Sequence, residues 1–483
     1  MCVACVATLT AVSFLSPTVP AEIQPVEKNI NISRPCPKSK LNQIKDNLIC
    51  TKNGKKYRWT PVNNIEPIKS QVDLVYSDKV ADKSECQLKE ARVIKTQPSS
   101  VGFPLTKTDE NNTVLKNLGT INMIYIPIDF PDFKGNQDFL DKLQYHIDKI
   151  NNWYSFFSNN KLKVSYQTSN KWFTASQKSE YYNTGKLGPN MDNPYASQWD
   201  SFAQDFINST GNHYDFTNVD VVLFYFPPGS TDNIKSDILG RHNIEFNTPQ
   251  GKKKFMYSGG GKEPYGIEKN LKNPYSRIWG FWLHEILHSH GLAVHAPGNG
   301  WQIGVGTNQQ GDSLSISTSW ELFLLDWLND NQIYCLPVEK IKSNIVEMTP
   351  LEVSGDKNKI VAIPLDKYRS IVLDSRRPIG FSSDWDKGSS GILASIVDTR
   401  LDNDRSCESS CTRGPIDNGN DRNYSKWSYY LIPDNPQIYE NVFHQHSYRN
   451  YFLKKGMTLS FENVIIKVLE SDKTDTVLIE RKS

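Results

Sequence analysis

The sequence predicts an α+β domain built on a twisted mixed sheet, followed by an all-β, sandwich-like domain and preceded by a small cysteine-containing β module. Three observations carry this. Between residues 121 and 226, strand-like apolar runs alternate with segments of helical spacing, the order of a sheet with helices packed on it. After Cys335 the texture changes to short β-rich runs set apart by turn signals. Near the start, Asn53-Gly54 marks a tight hairpin in a segment that also holds Cys36 and Cys50. A chain of 483 residues has room for two or three such units.

In order along the chain, residues 2–15 carry no charge, the first charged residue is Glu22, and Val19-Pro20-Ala21 suits signal-peptidase cleavage, although a basic start is missing. Residues 1–21 are therefore expected to be a signal peptide. Residues 22–68 form the small disulfide-closed β module with its linker, and 69–118 a spacer or pro-segment. The α+β domain is expected over 119–335. Within it residues 121–130 read as a buried strand. Over 138–158, Phe139, Leu140, Leu143, Ile147, Ile150, Trp153, Tyr154 and Phe157 recur at helical spacing. Residues 162–166 and 219–226 read as strands and 196–208 as a helix. A further helix with a Ser/Thr N-cap is expected over 317–329. In the all-β domain, 336–483, strands are expected at 360–365, 370–374, 392–397, 429–432, 458–469 and 476–480.

Composition narrows the function. Lys and Arg number 55 against 53 Asp and Glu, so no bulk charge favours nucleic acid or an anionic membrane. No apolar run reaches the ~18–20 residues of a transmembrane segment. Eight cysteines become six once Cys2 and Cys5 leave with the signal. An even number in an exported chain points to disulfides. Of the 15 possible pairings, local closure suggests Cys36–Cys50 and Cys407–Cys411, with Cys86 left for Cys335. A second reading of Cys86 is a thiolate that caps a metal and keeps an enzyme latent.

The chemistry lies in residues 279–298, WGFWLHEILHSHGLAVHAPG. His284-Glu285-Ile286-Leu287-His288 is the HExxH zinc pattern. Residues four apart lie about 40° apart around a helix, so His284 and His288 face one metal. Glu285, at the edge of that face, is the candidate general base that takes a proton from a zinc-activated water and passes it to the leaving amine. A helix supplies only two such ligands, so the third comes from beyond Gly291, where the helix must end. His295 is the candidate. His290 lies about 200° from His288 and is expected to hydrogen-bond behind the site or face the core. His146, His213, His242, His444 and His446 are read as non-ligands.

These residues carry a resemblance. From residue 121 to about 397, somewhat more than half the chain, the sequence resembles the immune inhibitor A-like family of exported bacterial zinc metallopeptidases. The matching stretches are IPIDFPD, the HExxHxxG core with a histidine at +11, STSWELFLLDWL, SIVLDSRRPIGF and GILASIVDT. The resemblance implies a zincin-like catalytic domain, secreted proteolysis, one catalytic Zn2+ and, often, structural Ca2+. Asp417, Asn418, Asn420 and Asp421 around Gly419 are read as either a calcium loop or a polar turn. Two departures stand out. The acidic residue common after the glycine is absent, leaving His295 nearly alone as third ligand. No methionine falls between Met256 and Met348, so residues 312–317, with Leu314 or Ile316, are expected to form the apolar floor below the metal.

The expected function is a secreted or cell-surface zinc endopeptidase acting on a protein or peptide, with possible cell-wall contact through the N-terminal module. The substrate would lie along the sheet edge, for which residues 252–261 are one candidate, a solvated basic loop being the other reading. The rival reading is a non-catalytic cell-surface binding protein on the same scaffold. Zinc chemistry on a non-peptide bond shares the same ligands.

Overall fold

In the computed structural model of the chain, the described residues are 35, 37, 44–45, 48–53, 56–61, 75–88, 115–183, 196–234, 238–260, 277–290, 318–382, 388, 390–398, 429–431, 433–434 and 451–482. The signal segment, Cys36, Cys407, Cys411, the 417–421 loop, His444 and His446 lie outside them. No helix among the described residues is long and apolar enough to cross a membrane. The chain divides into two compact units, residues 1–74 and 75–483.

The first unit holds β1 (Ile44–Lys45), β2 (Leu48–Asn53) and β3 (Lys56–Pro61), an antiparallel sheet in that order. Asn53, the last residue of β2, pairs with Lys56, the first of β3, so the two strands form a hairpin.

In the second unit, β4 (Gly119–Asp129) leads into α1 (Gln137–Phe157), then β5 (Leu162–Gln167), β6 (Phe173–Thr174), α2 (Ala196–Ser209), β7 (Val221–Tyr225), α3 (Thr231–Ile234), β8 (Ile238–Thr248), β9 (Gly251–Gly260) and α4 (Arg277–Ser289). The sheet order is β5-β4-β7-β9-β8. The first four strands are parallel, and β8 closes one edge antiparallel to β9. Alternation along the central strands sorts their side chains to two faces. Ile121, Met123, Tyr125, Val221, Leu223 and Tyr225 pack with α1 and α4. Ile124, Ile126, Ile128, Val222 and Phe224 pack with Phe202 and Phe206 of α2. Burial on both faces explains why β4 reads as a nearly unbroken apolar run. The Asn136 side chain caps α1 by accepting the Phe139 N–H at 3.0 Å.

The sequence reading missed β8 and β9. Residues 252–261, expected at the sheet edge or in a loop, belong largely to Gly251–Gly260, an internal strand between β7 and β8. The helix expected over 317–329 is shorter, α5 (Ser319–Leu324), capped by Thr318 as expected. It stops because Asp326 takes φ +61°, outside helical space.

The remaining strands are β10 (Ile333–Cys335), β11 (Ser343–Met348), β12 (Ile360–Pro364), β13 (Arg369–Arg376), β14 (Gly391–Asp398), β15 (Tyr429–Tyr430), β16 (Phe452–Leu453), β17 (Thr458–Phe461), β18 (Val464–Ser471) and β19 (Asp475–Arg481). They form a sheet in the order β10-β12-β13-β14-β15, with β16 also on β14, and a second sheet, β11-β19-β18-β17. The single strand expected over 458–469 is a hairpin, turning where Glu462 has φ +50°. Val361, Ile363, Ile371 and Leu373 of the larger sheet pack with Ile466, Val477 and Ile479 of the smaller one. On the other face of the same strands, Ile360, Ala362 and Val372 join the core of α1 and α4. The larger sheet is thus a middle layer, and residue 335 falls inside a continuous core.

Residues 75–88, expected within a spacer or pro-segment, strap across this unit. Ser77 N–H donates to Ile345 O at 2.8 Å, and Cys86 forms a disulfide with Cys335. That pairing overturns the reading of Cys86 as a latency thiolate, because its sulfur is buried and bonded. The Asp374-Ser375-Arg376-Arg377 stretch is structural. Asp374 accepts the Ser319 N–H at 3.0 Å and so ties α5 to β13. Arg376 pairs with Glu352, and Arg377 with Asp475, each at 2.9 Å.

Candidate active site

Helix α4 is written for burial. Ile278, Trp279, Trp282, Leu283, Ile286 and Leu287 recur at helical spacing and all lie in the core. His284 and Glu285 sit on this helix, each only 5% exposed. A buried carboxylate needs a donor, and one comes from the edge strand: the Gly240 N–H donates to Glu285 Oε2 at 2.6 Å.

The edge strand is irregular where it meets α4. Ile238 pairs with Gly259, Arg241 with Tyr257 and Ile244 with Phe255. Over each interval β8 spends one residue more than β9, so two bulges follow in succession. Asn243, inside the second, has φ +56°. Gly240 and His242 both meet the helix: the His242 ring nitrogen Nδ1 hydrogen-bonds Ser289 Oγ, one helical turn beyond Glu285. Arg241, between them, faces Asp200 of α2, with Nη2–Oδ2 at 2.9 Å. Tyr257 donates to the same carboxylate at 2.6 Å. Burial, helped by Arg241, lowers the His242 pKa to about 4, so its ring is neutral near pH 7.

His290 faces the core, one of its two expected placements. Its Nε2 is 3.1 Å from Tyr154 Oη and its Nδ1 3.2 Å from Asn117 Oδ1. Burial pushes its pKa down to about 3. The Leu115 N–H satisfies a carbonyl at the helix end, Ser289 O, at 2.7 Å.

Of the expected zinc ligands, the structure describes the side chain of His284 alone. The backbone of His288 lies on α4 one turn after His284, and its side chain lies outside the described residues, as do His295 and the 312–317 floor. Among the described residues no group of three His, Cys, Asp or Glu side chains stands ready to hold a metal. The donor chemistry nevertheless fits zinc: two histidine positions one turn apart on a buried helix, with a carboxylate beside them. Sequence reasoning missed Gly240. The available signal was a glycine inside a β-type run, which marks a bulge or a close approach.

No known protein family matches the chain, and no curated protein does. Solved structures show a distant likeness. An archaemetzincin from Methanopyrus kandleri is 14% identical, with 43% of this chain and 86% of that one covered, at a TM-score of 0.20. Wild-type OgpA from Akkermansia muciniphila is 13% identical, with 61% and 88% covered, at 0.26. A catalytically inactive OgpA in complex with an O-glycopeptide substrate is 11% identical, with 61% and 87% covered, at 0.24. At such TM-scores the case for the site rests on its own residues.

Proposed function

We propose that the chain is a zinc-dependent endopeptidase in which His284, His288 and His295 hold the metal and Glu285 is the general base. One observation carries the reading: the HExxH pattern lies on a buried helix against an antiparallel edge strand, with its glutamate oriented by that strand. Zinc, when bound, brings the pKa of a water to about 7 and polarises a carbonyl. The protein's own groups do the rest. His284 offers an imidazole from a helix anchored in the core. Glu285, oriented by the Gly240 N–H on Oε2, receives a proton and hands it to the leaving amine. Among the described residues strand β8 ends the sheet order, which suits pairing with an extended peptide along its outer side. The Cys86–Cys335 disulfide supports an oxidising, extracellular location.

The test is zinc content together with casein hydrolysis, for wild type and Glu285→Gln side by side. Both proteins should bind zinc. Turnover should fall on the order of 10²–10⁴-fold in the variant. Wild type without zinc, or equal turnover in both proteins, would overturn the proposal.

A further inference from the structure

The two successive bulges of β8 bring its backbone against α4 at Glu285. We propose that Gly240 is a positioning residue for Glu285: the bulged strand aims the Gly240 N–H at Oε2, and the missing side chain keeps the place of that oxygen free. This rests on the reading of Glu285 as general base.

The geometry supplies both halves. The N–H to Oε2 distance is 2.6 Å. A Cβ built on Gly240 would stand 2.7 Å from Glu285 Oε2 and 3.0 Å from Glu285 Cβ. The first distance is shorter than real Cβ contacts, so the carboxylate would have to move. Conformational freedom is not the reason for glycine here, because Gly240 has no positive φ. Its role is contact. The same strand holds the helix a second time through His242 and Ser289, so α4 has little room to retreat. An added methyl is therefore expected to turn the carboxylate off its donor rather than displace the helix.

The proposal separates positioning from folding and from metal binding. Gly240→Ala should keep zinc content and leave KM within about twofold, while kcat falls on the order of 10²-fold, the scale of a misplacement of about 1 Å. Glu285→Asp withdraws the carboxylate from the new methyl. Its cost in kcat should therefore be smaller when combined with Gly240→Ala than in wild type, a non-additive cycle. A second cycle needs no activity. Gly240→Ala should lower Tm by about 2–4 °C in wild type, and by less in Glu285→Ala, where the clashing oxygens are gone. If Gly240→Ala alone fails to fold, recovery of folding by Glu285→Ala supports the contact, and failure of both overturns it. An unchanged kcat, or additive cycles, would also overturn it. If wild type and Glu285→Gln are equally inactive, the peptidase reading fails, and the Tm cycle still decides whether Gly240 holds Glu285.

Discussion

Helices α1 and α4 run side by side, and their contact has two polar stations. At one, His146 of α1 meets Trp282 of α4, with ring centroids 6.2 Å apart. At the other, Tyr154 of α1 meets His290 at the end of α4, with ring centroids 5.8 Å apart. The same number of residues separates the stations on each helix, about 12 Å at 1.5 Å per residue, so the helices are parallel and in step. Both histidines are fully buried, and burial lowers both pKa values to about 3. Their hydrogen bonding is opposite. His290 has Tyr154 and Asn117 as partners, whereas neither nitrogen of His146, nor Trp282 Nε1, has a partner among the described residues. Burial sets the protonation state at both stations, and the partners decide whether the ring holds the helices together or costs stability. The satisfied station is the one at the end of α4, next to Ser289.

The comparison can be broken most severely at the satisfied station. His290→Ala would strand Tyr154 Oη and Asn117 and leave a void, a loss of about 3 kcal/mol in urea unfolding. A loss below about 1 kcal/mol would show that those bonds contribute little. Acid comes next. The unfolded ring has a pKa near 6.5 and takes up a proton that the folded ring refuses until about pH 3. Stability therefore falls as pH drops through that window, by about 1.4 kcal/mol per unit for each histidine, or about 2 kcal/mol between pH 7 and pH 5. His146→Phe sharpens the contrast with the smallest effect. At pH 7 it should stabilise by about 1 kcal/mol, since two unpaired nitrogens leave the core and the flat ring stays. It should also remove its share of the acid loss. Destabilisation at pH 7 would mean that the His146 nitrogens are satisfied after all.

The legible parts of the molecule were those with one dominant period. In α1 every apolar position expected at helical spacing from Leu140 to Phe157 is buried, and His146 joins the same face. The HExxH pattern fell on a helix because Trp279, Trp282, Leu283 and Ile286 frame it on one buried side. The edge strand was illegible for the opposite reason. Two bulges break the alternation of β8, and Arg241, His242 and Asn243 read as a polar loop. In β9, Lys252, Lys253 and Lys254 hide a strand whose apolar half begins only at Phe255. The hold of Gly240 on Glu285 spans 45 positions, and a lone glycine in a β-type run marks a close approach without naming the residue approached. Elimination among the cysteines leaves Cys86 for Cys335, and the structure bonds the two, with a backbone bridge between Ala81 and Cys335 beside them.

That disulfide joins positions 249 apart and makes a covalent ring of the chain from Cys86 to Cys335, which holds the five-stranded path with its helices, and α5. Closing a ring of this size removes about 5 kcal/mol of freedom from the unfolded chain. It also changes what a cut does. A peptide bond broken anywhere between Cys86 and Cys335 opens the ring without dividing the molecule, and both new ends remain tied through sulfur. For a protein proposed to break peptide bonds, the crosslink keeps a chain nicked within that ring in one piece.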